Sequence, residues 1–264
     1  MNQTMVPRLV LIGHSHLYSI RGGVEALGFE PARYTWLPVW QIEEKRHQEG
    51  AAVLLDVIAA EIDKLIRDFI GVGSEGSLAE HIRNAGLLLL LVLGGNEHNV
   101  VGMVNTGGDY DFLLPGETDP LRSGSTIVPL GAVRTQMERQ TAYFRDMLDR
   151  INGLAGDRIA CLEPPPPIRD SQTILAKLDR YFRETYGDRI SINPPEFRYK
   201  LWRLRCMVFQ ADCARHGIPY IAVPPELMED GRYLHSDAIA GDATHANAKF
   251  GATMVQIALN TFSQ

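Results

Sequence analysis

Cysteine is scarce in this chain. The three copies, Cys161, Cys206 and Cys213, are an odd number with no C-x-x-C spacing. That argues against a disulfide framework or a zinc knuckle and fits a reducing compartment. Small, buried apolar residues are the expected reading for all three. Long hydrophobic runs are lacking too. The most apolar segment has an unbroken core from Leu87 to Leu93, too short to cross a bilayer. The first apolar run, Leu9 to Ile12, stops at Gly13 and is too short for a secretory leader. A cytoplasmic location with no membrane partner is therefore expected. Positive charge is also in deficit, with a formal net charge of −6. A nucleic-acid binder would more often be basic or show a basic face, so no nucleic-acid partner is expected.

What is present is an ordinary globular composition. In 264 residues, 45% are hydrophobic and 22% charged, enough apolar material for a substantial core. Leu9–Ile12 and Leu87–Leu93 are continuously apolar rather than alternating and read as buried strands. Residues 33–40 are a weaker strand candidate, because Pro38 removes a ladder donor. Residues 51–70 carry Val53, Leu54, Val57, Ile58, Ile62, Leu65, Ile66 and Phe69 at helical spacing, which predicts a long amphipathic helix. Ser77 is placed to cap a short helix ending near Asn84.

Further helices are expected over 133–151, 171–186 and from Pro194 towards His216, with Asn193 and Glu196 as a capping box at the start of the last. Strands are expected at Arg158–Leu162 and in "IPYIAVP", and a helix closes the chain. Strand and helix alternate about five times. That pattern predicts an α/β fold, a three-layer αβα sandwich around a central, mostly parallel five-stranded sheet of flavodoxin-like type. A single domain over 1–264 is expected, with insertions near 105–128 and 168–190.

Ligands of open parallel sheets bind beyond the carboxyl ends of the strands. Three polar clusters fall at or near such ends: Gly13-His14-Ser15-His16, Gly94-Gly95-Asn96-Glu97-His98, and Gly241-Asp242-Ala243-Thr244-His245. A serine hydroxyl needs a base to act as a nucleophile near neutral pH. His245 is the candidate base. Asp242, three residues earlier, can hold its Nδ1–H and leave Nε2 free to face Ser15. The Asn96 amide and the Ser15 backbone N–H are candidate oxyanion donors. Each short motif arises often by chance or as turn chemistry. The ordered combination is what carries information.

Taken together these segments resemble the SGNH hydrolase superfamily, the GDSL esterases. "GHS" at Gly13–Ser15, "GGN" at Gly94–Asn96 and "DATH" at Asp242–His245 match its blocks in order and in strand context, and "CLEPPPP" is similar to the proline-rich run that often follows its fourth strand. The resemblance implies the SGNH hydrolase fold, with Ser15 as nucleophile, His245 as general base, Asp242 as its partner and Asn96 in the oxyanion hole. No cofactor or metal is implied. Two positions depart from the family pattern. His14 stands where the family has Asp, and the glycine of the second block is not obvious, Gly50 being the candidate.

The implied activity is hydrolysis of a small acyl ester, such as an O-acetylated carbohydrate, through an acyl-enzyme; the partner is a small-molecule or carbohydrate ester. Acyl transfer to a sugar hydroxyl and a turnover-impaired binding module of the same fold are the alternatives. His14, His16, Gly95, Glu97 and His98 flank these motifs and are the candidate substrate contacts. Packing is the plainer expectation for the histidines, and solvent exposure for Glu97. Zinc held by His14, His16 and His98 lacks supporting carboxylate spacing. Arg198, Arg203 and Arg205 are expected to form a solvated helix face, and Asp109, Asp111 and Asp119 to face water.

Overall fold

The structure, a computed structural model, describes residues 7–48, 55–117, 120–178, 180–187 and 190–263. Five strands build the central sheet: β1 (Arg8–Gly13), β2 (Tyr34–Pro38), β3 (Leu87–Val92), β4 (Ile159–Leu162) and β5 (Tyr220–Ile221). Their spatial order is β2-β1-β3-β4-β5, every pair parallel. This is the flavodoxin-like winding expected from the alternation of elements, with its switch point between β1 and β3. Pro38 is tolerated because β2 is an edge strand and Pro38 is its last residue.

Continuous apolar strands are buried on both faces, and the two faces divide cleanly. Val10, Ile12, Leu89 and Leu91 point to one layer, where they meet Ile58, Ile62 and Ile66 of α3 (Leu55–Ile70), Leu78 and Ile82 of α4 (Leu78–Asn84), and Met147, Leu148 and Ile151 of α6 (Leu130–Ala155). Leu9, Leu11, Leu88 and Leu90 point to the other. There they meet Leu17, Ile20 and Val24 of α1 (Leu17–Ala26) and Phe250, Met254 and Val255 of α10 (Ala248–Phe262). Cys161, Cys206 and Cys213 are free and buried, as expected of small apolar residues.

Helix α1 leaves the Ser15 turn and α10 leaves the His245 loop, so the packing of this pair sets how far apart those residues stand. The two helices touch backbone to backbone. A Cβ added at Gly251 would fall 1.8 Å from the Ser19 carbonyl oxygen, and one at Gly23 would fall 2.1 Å from the Ala252 nitrogen. Only residues without a side chain permit that approach.

Several local expectations are corrected. The helix expected over 171–186 is two, α7 (Ser171–Lys177) and α8 (Arg180–Tyr186), because Leu178 takes an extended ψ of 129°. Asp170 caps α7, accepting from Gln172 and Thr173 N–H. Asn193 makes no capping box with Glu196. Its buried amide instead donates to the carbonyls of Gly102 and Val104, and α9 begins at Pro195 and runs to Arg215. Two helices lack the periodicity that would reveal them: α2 (Val39–Gln48) and the one-and-a-half-turn α5 (Glu97–Gly102). The start of the expected 51–70 helix, like Gly50 and Asp119, lies outside the described residues.

The solvated arginine face is also corrected. Arg198 and Arg205 are 2% and 1% exposed, and only Arg203 of the three is half-buried. Helix α9 is enclosed, packed against α5 and α6, so both guanidinium groups must find internal acceptors. In the 105–128 segment, Asp111 is buried and paired with Lys200 of α9 rather than facing water. Asp109 remains on the surface and pairs with Arg122 at 3.1 Å.

Gly251→Ala tests the helix contact. Overpacking a site this tight should destabilise the fold by about 1–3 kcal/mol, read as a lower urea midpoint at unchanged slope. Unchanged stability would contradict it.

Candidate active site

All three polar clusters reach the carboxyl rim of the sheet. Ser15 sits in the turn between β1 and α1 and is half-buried. The turn is held to the neighbouring strand by the His14 N–H, which donates to Val92 O at 3.1 Å. Asn96 Nδ2 lies 3.4 Å from Ser15 Oγ. Its orientation is set from behind, because the Asn99 amide donates to Asn96 Oδ1 at 3.0 Å and so turns the Asn96 NH2 towards the serine.

The Asp242–His245 loop is organised around one carboxylate. Asp242 Oδ1 accepts the backbone N–H groups of Thr244 (2.9 Å) and His245 (2.8 Å), and both its oxygens lie 3.0 Å from His245 Nδ1. Burial opposes ionisation of Asp242, but the hydrogen bonds from His245 and Thr244 outweigh it and hold the carboxyl well below its usual range. A carboxylate at Nδ1 requires the Nδ1–H tautomer, which leaves a lone pair on Nε2. Nε2 is buried and has no hydrogen-bond partner among the described residues. Ser15 Oγ makes no hydrogen bond to it here, and catalytic hydrogen bonds often tighten only once substrate is bound. The two segments are neighbours nonetheless: the His16 ring packs against the His245 ring at 4.8 Å between centroids.

The remaining candidates separate by environment. Glu97 is 7% exposed and is neither solvated nor open to a substrate. It pairs with Arg205 Nε at 3.0 Å and accepts the Gly95 N–H at 2.9 and 3.0 Å, while Arg205 Nη2 donates to Leu93 O at 2.7 Å. The Gly95 N–H is therefore committed to a side chain and does not point to a substrate. Gly95 has a φ of +120°, and a Cβ there would stand 2.4 Å from the His16 ring. His16 is thus buried between Gly95 and His245. Burial first, then His245 and His98, push its pKa well down, so it packs as a neutral ring.

His14 turns to the other side of the turn. Its Nε2 lies 3.3 Å from Glu43 on α2, which also accepts the Tyr143 hydroxyl of α6 at 2.6 Å, and its ring meets Phe144 edge-on at 5.0 Å. His14 therefore braces the Ser15 turn against two helices. His98 on α5 is fully buried with neither ring nitrogen partnered among the described residues. Among the described residues, no three His, Cys, Asp or Glu side chains cluster to hold a metal. A larger cleft, about 1160 Å3, opens at the opposite rim between Arg8, Phe29, Arg158 and Phe262, away from the strand ends where open α/β sheets bind ligands.

Sequence reading missed the Glu97–Arg205 pair, whose partners stand 108 positions apart. It also missed Glu43 and Asn99. Glu97 lies in the Gly94–His98 cluster, but Arg205, Glu43 and Asn99 lie in no motif, and only the tertiary fold brings Arg205 and Glu43 to the site. The 168–190 insertion contributes as well. Ile168, Ile174, Leu178 and Phe182 pack in one cluster with Ala243, and Lys177 Nζ donates to Ala240 O at 2.6 Å, so this segment supports the His245 loop.

No family model and no curated protein matches the chain. Several solved structures are similar to it. A GDSL-like lipase of Bacteroides thetaiotaomicron is 10% identical, covering 97% of this chain and 88% of its own, with a TM-score of 0.40. A carbohydrate acetylesterase of Sinorhizobium meliloti is 9% identical over 97% and 98%, with a TM-score of 0.43. The periplasmic domain of a lipopolysaccharide acetyltransferase of Salmonella ser. Paratyphi A is 13% identical over 98% and 85%, with a TM-score of 0.45. At these identities and scores the likeness carries no argument about chemistry, which rests on the side chains described above. The three-layer α/β architecture is the one that the SGNH resemblance implies.

The Glu97–Arg205 pair is testable by a double-mutant cycle. Arg205→Met alone strands a buried carboxylate and should cost about 3–5 kcal/mol. Adding Glu97→Gln should recover part of that loss in urea unfolding; strictly additive losses would show that the two groups act independently.

Proposed function

We propose that the chain is an SGNH-type serine enzyme of acyl-ester chemistry, and that its reaction is hydrolysis of a short acyl ester. One observation carries this reading. An imidazole held at Nδ1 by the Asp242 carboxylate keeps a partnerless Nε2, on the same rim as a serine hydroxyl that already contacts an amide donor. A buried nitrogen without a partner is costly to maintain, and a proton from Ser15 is the partner its position suits.

In the proposed reaction Ser15 Oγ attacks the ester carbonyl as its proton passes to His245 Nε2. Asp242 steadies the resulting imidazolium. The oxyanion receives hydrogen bonds from Asn96 Nδ2 and the Ser15 backbone N–H. Collapse of the tetrahedral intermediate breaks the ester C–O bond, and the Nε2 proton leaves with the alcohol. Water then gives its proton to His245, attacks the acyl-Ser15 carbonyl, and releases the acid and the free serine.

Ser15→Ala and His245→Ala should each lower kcat towards a nitrophenyl ester by ~10³-fold or more. Asp242→Asn should lower it by about 10²–10⁴-fold, because it no longer enforces the Nδ1–H tautomer. Folded variants that keep wild-type turnover would refute the assignment.

A further inference from the structure

Thr244 reaches into the Asp242–His245 pair. Its Oγ1 lies 3.2 Å from His245 Nδ1 and 3.4 Å from Asp242 Oδ1, and the hydroxyl has no other hydrogen-bond partner among the described residues. The turn itself does not need that hydroxyl. It closes through the backbone, because the N–H groups of Thr244 and His245 donate to Asp242 Oδ1 at 2.9 and 2.8 Å.

Three oxygens thus face one nitrogen, since both Asp242 oxygens also lie 3.0 Å from Nδ1. A hydroxyl carries one hydrogen and two lone pairs, so its direction decides what it does to the imidazole. Beside an ionised carboxylate the O–H is drawn towards Oδ1, and a lone pair then meets the Nδ1–H. Both contacts are long for settled hydrogen bonds, and they tighten when His245 becomes cationic and the donor gains charge. Turned the other way, the same O–H donates to a bare Nδ1. That favours the tautomer with its proton on Nε2, which cannot accept a proton from Ser15. The Asp242 charge therefore sets the sense in which Thr244 acts. The rest of the ring has no polar anchor: His16 packs against it at 4.8 Å between centroids, but its nitrogens hydrogen-bond to nothing among the described residues.

We propose that Thr244 is a positioning residue of the catalytic pair, and that its hydroxyl, oriented by the Asp242 carboxylate, accepts from the His245 Nδ1–H and holds the ring with Nε2 free for the Ser15 proton. The inference rests on the serine-enzyme reading above. No bond to Thr244 forms or breaks in the reaction. As Nε2 takes the Ser15 proton, the Thr244 lone pair shares with Asp242 the positive charge that develops at Nδ1.

Thr244→Val removes the hydroxyl at nearly constant volume. It should lower both kcat towards a nitrophenyl ester and the rate at which a fluorophosphonate labels Ser15, each by about tenfold. Thr244→Ser keeps the hydroxyl and should recover most of that loss. The Asp242→Asn background separates positioning from packing. There the hydroxyl has no anion to orient it, so adding Thr244→Val should cost less than about twofold or raise the rate, whereas a packing role would give the same loss in both backgrounds. Thr244→Ala serves if the Val variant does not fold. Wild-type rates in a folded variant lacking the hydroxyl, no recovery with Ser, or equal losses in the two backgrounds would each overturn the assignment. A wild-type protein that neither turns over an ester nor is labelled at Ser15 would instead remove the serine-enzyme reading beneath it.

Discussion

The constraint on which the site depends is a backbone contact between the first helix and the last. Gly23 of α1 and Gly251 of α10 let the two helices approach closer than any side chain allows. Ser15 lies just before α1 and His245 just before α10. Once these helices are clamped against one face of the sheet, their N-terminal turns share the carboxyl rim. Residues 230 positions apart in the chain are thereby brought into one neighbourhood, recorded in the tilted packing of the His16 ring against that of His245. The core beneath is continuous: Leu17 and Ile20 from α1 and Phe250 and Met254 from α10 bury against the same strand residues.

The third segment is fixed by a different force. Asn96 follows a Gly-Gly turn, which by itself would be soft. Glu97 stiffens it by taking the Gly95 N–H and the Arg205 guanidinium on one carboxylate, deep under α9. A buried ion pair is weak evidence for stability, because desolvation offsets much of the attraction. Its value here is geometric. It ties α5 to α9 and β3, so that Asn99 and Asn96 present an amide to Ser15 from a rigid support. His14 does similar work on the opposite side, joining the serine turn to Glu43 and Phe144.

The parts legible in the sequence were those whose signal is local. Leu87–Leu93 is apolar at every position and reads as a buried strand, observed over Leu87–Val92, and Asp242 with His245 sits within one turn. Residues whose partners are distant were misread. Arg198 and Arg205 look like a solvated helix face, since a charged side chain is normally exposed; their acceptors are loop and strand-end carbonyls far along the chain. Asp111 finds Lys200 at a separation of 89 residues. Asn193 fits a capping box on spacing, but the fold offers it two buried carbonyls instead. Nothing local to Gly23 or Gly251 says that two backbones meet there.

The central claim is that one hydroxyl, one imidazole nitrogen and one amide converge on a single reacting atom. A crystal structure of the protein inactivated with a small fluorophosphonate tests it directly, because the tetrahedral phosphorus mimics the tetrahedral intermediate of acyl transfer. The account predicts one adduct, on Ser15 Oγ, with a phosphoryl oxygen in the reach of Asn96 Nδ2 and with His245 Nε2 within hydrogen-bond distance of an adduct oxygen. An adduct on another residue, or a Ser15 adduct with the His245 ring turned away and out of reach, would contradict it.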